Sequence, residues 1–273
     1  MNSQEDFDIE VKLLLQAVYE KYSHDFRDYA MSSIKRRLTS ALAHFGMENL
    51  SNLQDKILRD PSFFLSLLQF ITVPTSEMFR DPGFFLTLRE KIVPILRTYP
   101  SLKIWIAGCS TGEEVYSYAI LLKEENLIAR TTIYATDINP VSLHKAEQGI
   151  FPAERMKDFS VNYQKSGGKG SLSDYFSVAY NSALADKSLR QNVVFADHSL
   201  ATDSVFSEMQ LISCRNVLIY FNKDLQDRAL GLFYDSLSHK GFLGLGSKES
   251  LRFSAYGNRF DEFDKSSKIY QRR

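Results

Sequence analysis

Cysteine is scarce in this sequence: Cys109 and Cys214 are the only two among 273 residues. Each stands in an apolar or motif-like run far from the other. This favours reduced thiols in a cytoplasmic protein, although two cysteines alone leave a disulfide open. The five histidines show none of the close spacings that zinc sites use, so we expect no metal.

An excess of either charge is also missing, because 33 basic residues balance 33 acidic ones. This neutrality gives no reason to expect nucleic acid or an anionic membrane surface as a partner. The longest apolar runs, at residues 104–107 and 217–221, are far too short to span a bilayer. The first ten residues are polar and acidic and lack the pattern of a secretion signal. We therefore expect a cytoplasmic monomer without membrane insertion.

The character of the sequence changes near residue 73. Before it, apolar residues recur at three- and four-residue spacing, beginning with Phe7, Val11, Leu14 and Val18. No strand pattern interrupts them, so residues 1–72 are predicted to form a small all-helical domain and residues 73–83 a linker. Asp81 is expected to cap the helix that follows, with Pro82 at its first position.

From residue 101 onward, short apolar strands alternate with helices. Strands are predicted at residues 103–107, 132–136, 192–196, 210–213 and 242–246, with helices at 113–122, 141–148 and 223–239. The last helix is expected to begin after Asn222 and to stop before Gly241. This alternation predicts an α/β fold over residues 84–273, a Rossmann-like doubly wound sheet that binds ligands at the carboxyl ends of its strands. Residues 152–190 break the alternation and are predicted to be a small antiparallel β insertion.

The run IWIAGCSTGEE at residues 104–114 has the form of a strand, a glycine turn and a helix start. Gly108 and Gly112 let the backbone approach a ligand without an intervening side chain, although a simple tight turn has the same glycines. Glu113 and Glu114 stand where a dinucleotide phosphate would bind, and their charge disfavours one. S-adenosylmethionine, which is adenosine-like, cationic and free of phosphate, suits this turn.

Asp137 ends the second predicted strand, where an acidic side chain is placed to accept hydrogen bonds from ribose hydroxyls. The structural alternative is that it caps the helix that begins near Pro140, and the two roles are compatible. Together with the glycine turn, Asp137 predicts a Rossmann-type methyltransferase. We expect it to bind S-adenosylmethionine and the product S-adenosylhomocysteine without metal.

Four motifs along the chain resemble those of one family, the CheR-type chemotaxis receptor glutamate methyltransferases. They are SEMFRDP at residues 76–82, WIAGCSTGEEVYS at 105–117, ATDI at 135–138 and CRNVLIYF at 214–221. The similarity runs from about Tyr22 to Tyr270. It implies methyl transfer to glutamate side chains of a methyl-accepting chemoreceptor, whose cytoplasmic helices would be the partner.

The resemblance also implies which residues form the site. Together with Gly108 of the glycine turn, the cofactor-binding set is Ser76, Arg80, Glu114, Asp137, Ser199, Leu200, Arg215 and Asn216. Arg80 and Tyr220 match residues that border the reacting methyl group, which implies catalytic roles for both. The sequence departs from the family at three places. Pro74 stands where many members have asparagine, and Ser199 replaces the asparagine of a His-Asn-Leu pattern. Residues 247–249, Ser-Lys-Glu, stand where members have His-Ser-Glu.

The helical segment at residues 21–37 is net basic in an otherwise neutral chain, with five basic residues against two acidic ones. Arg36 and Arg37 match a paired arginine of the family. Because receptor methylation helices present rows of glutamates, Lys35, Arg36 and Arg37 are expected to bind the substrate. A solvated helix face without a partner is the plain alternative.

Two other functions stay open at this point. One is a non-catalytic protein that binds S-adenosylmethionine and scaffolds signalling partners. The other is a methyltransferase for a different substrate, although the sequence has neither a basic stripe with interleaved aromatics nor an Asn/Asp-Pro-Pro-aromatic motif. Receptor methylation by the purified protein distinguishes the expected function from the scaffold.

Overall fold

The computed structural model describes residues 3–273. Its first part consists of four helices, α1 (Ser3–Tyr22), α2 (Met31–Phe45), α3 (Leu50–Arg59) and α4 (Pro61–Ile71). Their apolar faces pack into one buried cluster that includes Val11, Leu14, Ile34, Leu53 and Leu67. The helical spacing read from the sequence therefore marks the inward faces of these helices.

The last apolar residues of this domain, at 53–68, are divided between α3 and α4. Asp60 and Pro61 cause the division. The Asp60 carboxylate accepts N–H bonds from Ser62 and Phe63, while Pro61 occupies the first helical position, where no N–H is needed. The two helices can therefore change direction and still bury their apolar sides in the same core.

The segment after α4 leads into α5 (Pro82–Thr87), a π-helical turn (Leu88–Ile92) and α6 (Val93–Leu96). Pro82 begins α5 as predicted, but the predicted capping role of Asp81 is wrong. The Asp81 backbone lies in the left-handed region at φ 53°, and its side chain makes no cap hydrogen bond. The carboxylate instead forms an ion pair with Arg215.

The rest of the chain contains ten strands and four longer helices. The strands are β1 (Leu102–Ala107), β2 (Thr131–Asp137), β3 (Ile150–Pro152), β4 (Phe176–Ala179), β5 (Ser182–Ala185), β6 (Val193–Asp197), β7 (Met209–Cys214), β8 (Leu237–Leu245), β9 (Phe260–Asp264) and β10 (Ile269–Arg272). The helices are α7 (Glu113–Glu124), α8 (Pro140–Gln148), α9 (Met156–Lys165) and α10 (Lys223–Ser236).

Seven of these strands form one sheet in the order β6-β2-β1-β7-β8-β10-β9. The first five are parallel, and the last two join as antiparallel strands at one edge. Successive residues of β1 face opposite sides: Ile104 and Ile106 pack in one core cluster, and Trp105 and Ala107 in another. Helices therefore cover both faces, and the predicted α/β fold with a doubly wound sheet is confirmed.

A separate three-stranded antiparallel sheet, in the order β3-β5-β4, accounts for the break in the alternation. Its strands β4 and β5 are joined at Tyr180 and Asn181, both with positive φ. Within residues 3–273, no helix is long and apolar enough to cross a membrane, and no group of three His, Cys, Asp or Glu side chains is arranged to hold a metal ion. Cys109 and Cys214 are buried free thiols.

Helix α10 is shorter than predicted. Its start is as expected, because the Asn222 side chain accepts the N–H of Leu225. It ends at Ser236 and not at His239, since Leu237 adopts an extended backbone and pairs with Met209 of β7. Gly241 therefore lies inside β8 and does not stop the helix.

Candidate active site

A cleft of about 350 Å³ lies at the carboxyl ends of β1, β2 and β7, where the end of α4 and the following segment cross the sheet. Its size falls in the range of small-molecule sites. Most of the predicted site residues line it together, namely Arg37, Ser76, Arg80, Gly108, Glu114, Asp137, Leu200, Arg215, Asn216 and Tyr220. These residues lie far apart in sequence, so the fold brings them to one place.

The glycine turn after β1 forms the floor of this cleft. Gly108 and Gly112 have φ of 77° and 94°, values that side chains disfavour, and the Gly108 amide donates to the Thr136 carbonyl over 2.8 Å. A Cβ on Gly108 would lie 2.4 Å from a methyl of Val217. Glycine is therefore required here because the chain after β7 packs directly on the turn.

Asp137 ends β2 as predicted, and its carboxylate holds the glycine turn in place. It accepts the Ser110 N–H over 2.8 Å and the Asn139 N–H over 2.9 Å. Burial raises the pKa of Asp137, while these two donors act in the opposite direction. A carboxylate offers about four acceptor positions, so the side chain keeps capacity for a ligand hydroxyl.

The alternative role of Asp137 as a helix cap is wrong. The side chain of Asn139 caps α8, accepting the N–H groups of Val141 and Ser142. The Asn139 amide also donates to the Thr72 hydroxyl over 2.8 Å, which joins the helical domain to the sheet. Asp137 is thus free of the capping task.

Glu114 and Arg215 form a buried ion pair beside the turn. An Arg215 nitrogen lies 2.9 Å from Glu114, and a second lies 2.8 Å from Asp81. The Ser213 hydroxyl donates to the other Glu114 oxygen over 2.6 Å, and the Arg215 guanidinium stacks 4.2 Å from the Phe84 ring centroid. The side chain of Arg215 is only 1% exposed, so the contacts at its two terminal nitrogens replace much of its hydration.

Glu113 and Glu114 both begin α7, but Glu113 does not line the cleft. Its carboxylate forms an ion pair with Arg155 at 2.9 Å. Successive helical residues point in directions about 100° apart, so one of two adjacent side chains turns from the site. Of these two glutamates, therefore, only Glu114 lines the cleft.

Tyr220 stands at the mouth of the site with a guanidinium on its ring. Arg37 of α2 lies 4.3 Å from the ring centroid and donates to the carbonyl of Ile71. Arg80 also lines the cleft, and within residues 3–273 it forms no ion pair, because the neighbouring Asp81 is held by Arg215. Two cationic side chains, Arg37 and Arg80, therefore face the same cavity.

Four buried polar atoms of residues on the cleft wall lack hydrogen-bond partners among the described residues. They are the Ser110 Oγ, the Arg37 Nε, the Arg215 Nε and the His198 Nδ1. Buried polar atoms in folded proteins are nearly always paired. Their convergence on one cavity indicates that it takes a polar ligand with both donors and acceptors, which suits the nucleoside and amino-acid parts of S-adenosylmethionine.

Comparison with known families decides which methyltransferases this chain is related to. Residues 74–268 match the family model described as CheR methyltransferase, SAM binding domain, and residues 9–72 match CheR methyltransferase, all-alpha domain. The chain belongs to the CheR methyltransferase family. Its SAM-binding match covers six of the seven strands of the sheet and the part of the cleft wall from Thr75 to Phe221.

Three relatives show how far the likeness extends. A protein of Pseudomonas putida named putative methyltransferase Cher3 is 60% identical over 100% of both chains. Chemotaxis protein methyltransferase 2 of Vibrio cholerae is 32% identical over 76% of this chain and 72% of its own length. The chemotaxis protein methyltransferase of Listeria innocua is 28% identical over 83% of this chain and 84% of its own.

Two of the predicted site groups in this CheR methyltransferase do not have the expected placement. Ser199 is absent from the cleft wall, because its hydroxyl accepts the N–H of Ala201 and its amide donates to Asp203. The three basic residues of α2 also do not share one face. Lys35 pairs with Asp8 at 2.6 Å, Arg36 is exposed, and Arg37 is buried in the cleft.

Some residues of this site were not recognised from the sequence. Tyr29, Thr72, Ile138 and Val217 line the cleft although no motif marked the first two. Glu249 does not line the cleft but supports its wall. It accepts the N–H groups of Gly246, Asn216 and Ile219 and so holds the loop after β7. In the sequence, Glu249 is noticeable only as part of the segment 247–249 that differs from the family pattern, and that difference predicts no role for it.

Proposed function

We propose that this CheR methyltransferase transfers a methyl group from S-adenosylmethionine to glutamate side-chain carboxylates of a methyl-accepting chemoreceptor. The observation that carries the proposal is the single cleft that joins Asp137 and Glu114 with Arg80, Tyr220 and Arg37. The names of the Vibrio and Listeria relatives, chemotaxis protein methyltransferases, support the same reaction class.

The cofactor would be held by residues from both sides of the cleft. Asp137 would accept hydrogen bonds from the ribose hydroxyls, and Ser76, Leu200, Arg215 and Asn216 would line the remaining contacts. S-adenosylmethionine, when bound, supplies an electrophilic methyl group on a sulfonium. Because Glu114 is already neutralised by Arg215, we assign it to shaping the wall and not to balancing the ligand charge.

The acceptor needs orientation more than activation. A glutamate carboxylate has a reference pKa of about 4.3 and is ionised at neutral pH, so the protein needs no general base. Arg80 and Tyr220 would align the carboxylate, and the apolar side chains of Val217 and Phe221 would exclude water as charge is lost in the reaction. The proposed reaction needs no cysteine nucleophile, which agrees with the burial of both thiols.

The direct test is incubation of the purified protein with methyl-labelled S-adenosylmethionine and a bacterial membrane fraction that contains chemoreceptors. We expect label in receptor bands, released by mild base as methanol because carboxyl esters hydrolyse. Base-stable label would indicate a different acceptor group. No transfer despite tight binding of S-adenosylhomocysteine would favour the signalling scaffold.

Removal of the Asp137 carboxylate is expected to weaken cofactor binding. Asp137→Ala leaves ribose hydroxyls unpaired, at a cost of about 1–3 kcal/mol, or about five- to 150-fold in affinity. Calorimetry with S-adenosylhomocysteine measures this. Asp158→Ala is a matched control, since Asp158 is an exposed aspartate on α9 that does not line the cleft. Equal affinity for wild type and Asp137→Ala would remove Asp137 from the site.

Arg36 tests whether the exposed side of α2 meets the acceptor. We expect Arg36→Glu to raise the KM for the receptor about three- to tenfold at low salt, with the affinity for S-adenosylhomocysteine unchanged. The effect should shrink at physiological ionic strength, where the Debye length is about 8 Å. Lys12→Glu, on α1, makes the same charge change on another exposed face. Identical KM values for the two variants would place receptor contact elsewhere.

A further inference from the structure

The helical domain is joined to the loop that carries Tyr220 by a short strand-like pairing. The Ala30 N–H donates to the Tyr220 carbonyl over 2.8 Å, and the Asn222 N–H donates to the Asp28 carbonyl over 2.9 Å. Tyr29 and Phe221 form an antiparallel bridge between these bonds. We call residues 28–30 the strap, because it grips the backbone on both sides of Phe221.

The strap is anchored in the core of the helical domain. The Tyr29 ring packs edge-on against Phe26 and Phe221, with centroids 4.9 Å apart in both pairs. Phe26 is fully buried in the helical cluster, and Tyr29 also lines the cleft. The strap therefore has little freedom to move unless the helical domain moves with it.

The side chain of Tyr220 is held by the same domain. Arg37 covers its ring from α2, and the Arg37 guanidinium is itself bonded to the last carbonyl of α4. On the opposite side, Glu249 accepts the Ile219 N–H over 3.3 Å. The ring and backbone of Tyr220 are thus fixed between helical domain and sheet.

We propose that the helical domain positions Tyr220 for methyl transfer and that the strap is its positioning element. This inference rests on the proposed function of Tyr220. A displacement of about 1 Å in an aligned reaction costs on the order of 100-fold in rate, so a contact that sets the place of Tyr220 acts on kcat. The domain expected to recognise substrate therefore also completes the reaction site.

Ala30 allows the strap bond to be removed alone. Its φ of −58° and ψ of 109° suit proline, and Tyr29 before it pairs in a β-bridge, which fits the extended backbone that a residue before proline prefers. Ala30 stands at the N-cap of α2, so its N–H serves no helix hydrogen bond. Ala30→Pro deletes the donor to Tyr220, whereas Ala30→Ser keeps it and serves as the matched control.

The assay measures base-labile transfer to chemoreceptor-containing membranes at saturating S-adenosylmethionine, with calorimetry on S-adenosylhomocysteine. We expect Ala30→Pro to lower kcat about tenfold, with KM for the acceptor and cofactor affinity within twofold of wild type. Ala30→Ser should match wild type. Asn222→Ser, which keeps an oxygen to cap α10 but loses the amide contact with Asp28, should lower kcat by a smaller factor.

Several results would overturn the proposal. Equal kcat for Ala30→Pro and Ala30→Ser, with Tyr220→Phe impaired, would show that the strap does not position Tyr220. A loss of kcat matched by an equal loss of cofactor affinity or of melting temperature would assign the strap a general structural role. Full activity of Tyr220→Phe would instead remove the proposed role of Tyr220, on which the inference rests.

Discussion

Replacement of Arg215 by methionine is expected to lower the free energy of unfolding by about 3 kcal/mol, the largest stability change among the variants considered. The substitution keeps an apolar stem against Phe84 but leaves Glu114 as an unpaired carboxylate that is 13% exposed. Breaking a buried pair by removing one partner costs more than the pair itself contributes. For a chain of this size, we expect the melting temperature to fall by roughly 6 °C.

Two further variants test this reason. Adding Glu114→Gln to Arg215→Met should recover part of the loss, because a neutral amide still bonds the Ser213 hydroxyl. Asp81→Asn alone should cost less than about 1 kcal/mol, since that carboxylate is 43% exposed. An Arg215→Met protein that melts with wild type would show that the ion pair contributes nothing. The same variants are measured for cofactor affinity, because Arg215 also donates to the Arg80 carbonyl.

Loss of methyl transfer is the expected result for the two residues nearest the acceptor. We expect kcat to fall about 100-fold in Arg80→Ala and about tenfold in Tyr220→Phe, as for removal of a preorganised group at a reacting centre. Both side chains are only partly buried, so the free energy of unfolding should change by less than about 1 kcal/mol. An equal fall in kcat and kcat/KM would show an interaction made in the transition state.

Exposed residues of the same types serve as controls for these two variants. Tyr180→Phe alters a side chain that is 99% exposed in the turn between β4 and β5. Arg252→Ala alters an exposed arginine that does not line the cleft. Both should turn over as wild type. Normal kcat in Arg80→Ala and Tyr220→Phe together would place the reacting groups elsewhere in the cleft.

Local patterns predicted the parts of the fold that local forces determine. The strand, glycine turn and helix around residues 102–124 were recognised because a short continuous apolar run precedes glycines that allow positive φ. The end of α10 was not, because Leu237 leaves the helix to pair with Met209, a partner 28 positions earlier. Tertiary pairing overrides helix propensity at such a point.

The site shows the same division between local and distant causes. Asp137 and Gly108 were found from their own motifs, whereas Tyr29 and Arg37 enter the cleft only because the helical domain docks on the loop after β7. The spacing of apolar residues in α2 places Arg37 beside the apolar face of that helix. It does not predict that the guanidinium packs on the ring of Tyr220. Asp81 was misassigned for a similar reason, since its partner Arg215 lies 134 positions away.

The shared wall of the cleft links ligand binding to the cooperativity of unfolding. Tyr29, Arg37 and Ile71 come from the helical domain, and Gly108 and Asp137 from the sheet, so the complete site exists only while both are folded and docked. A ligand at 100 times its Kd adds about 2.7 kcal/mol to the state that binds it. That free energy is lost when either part opens. We therefore expect bound cofactor to make undocking of the helical domain rarer, and so to keep the exposed side of α2 beside the reaction site for longer.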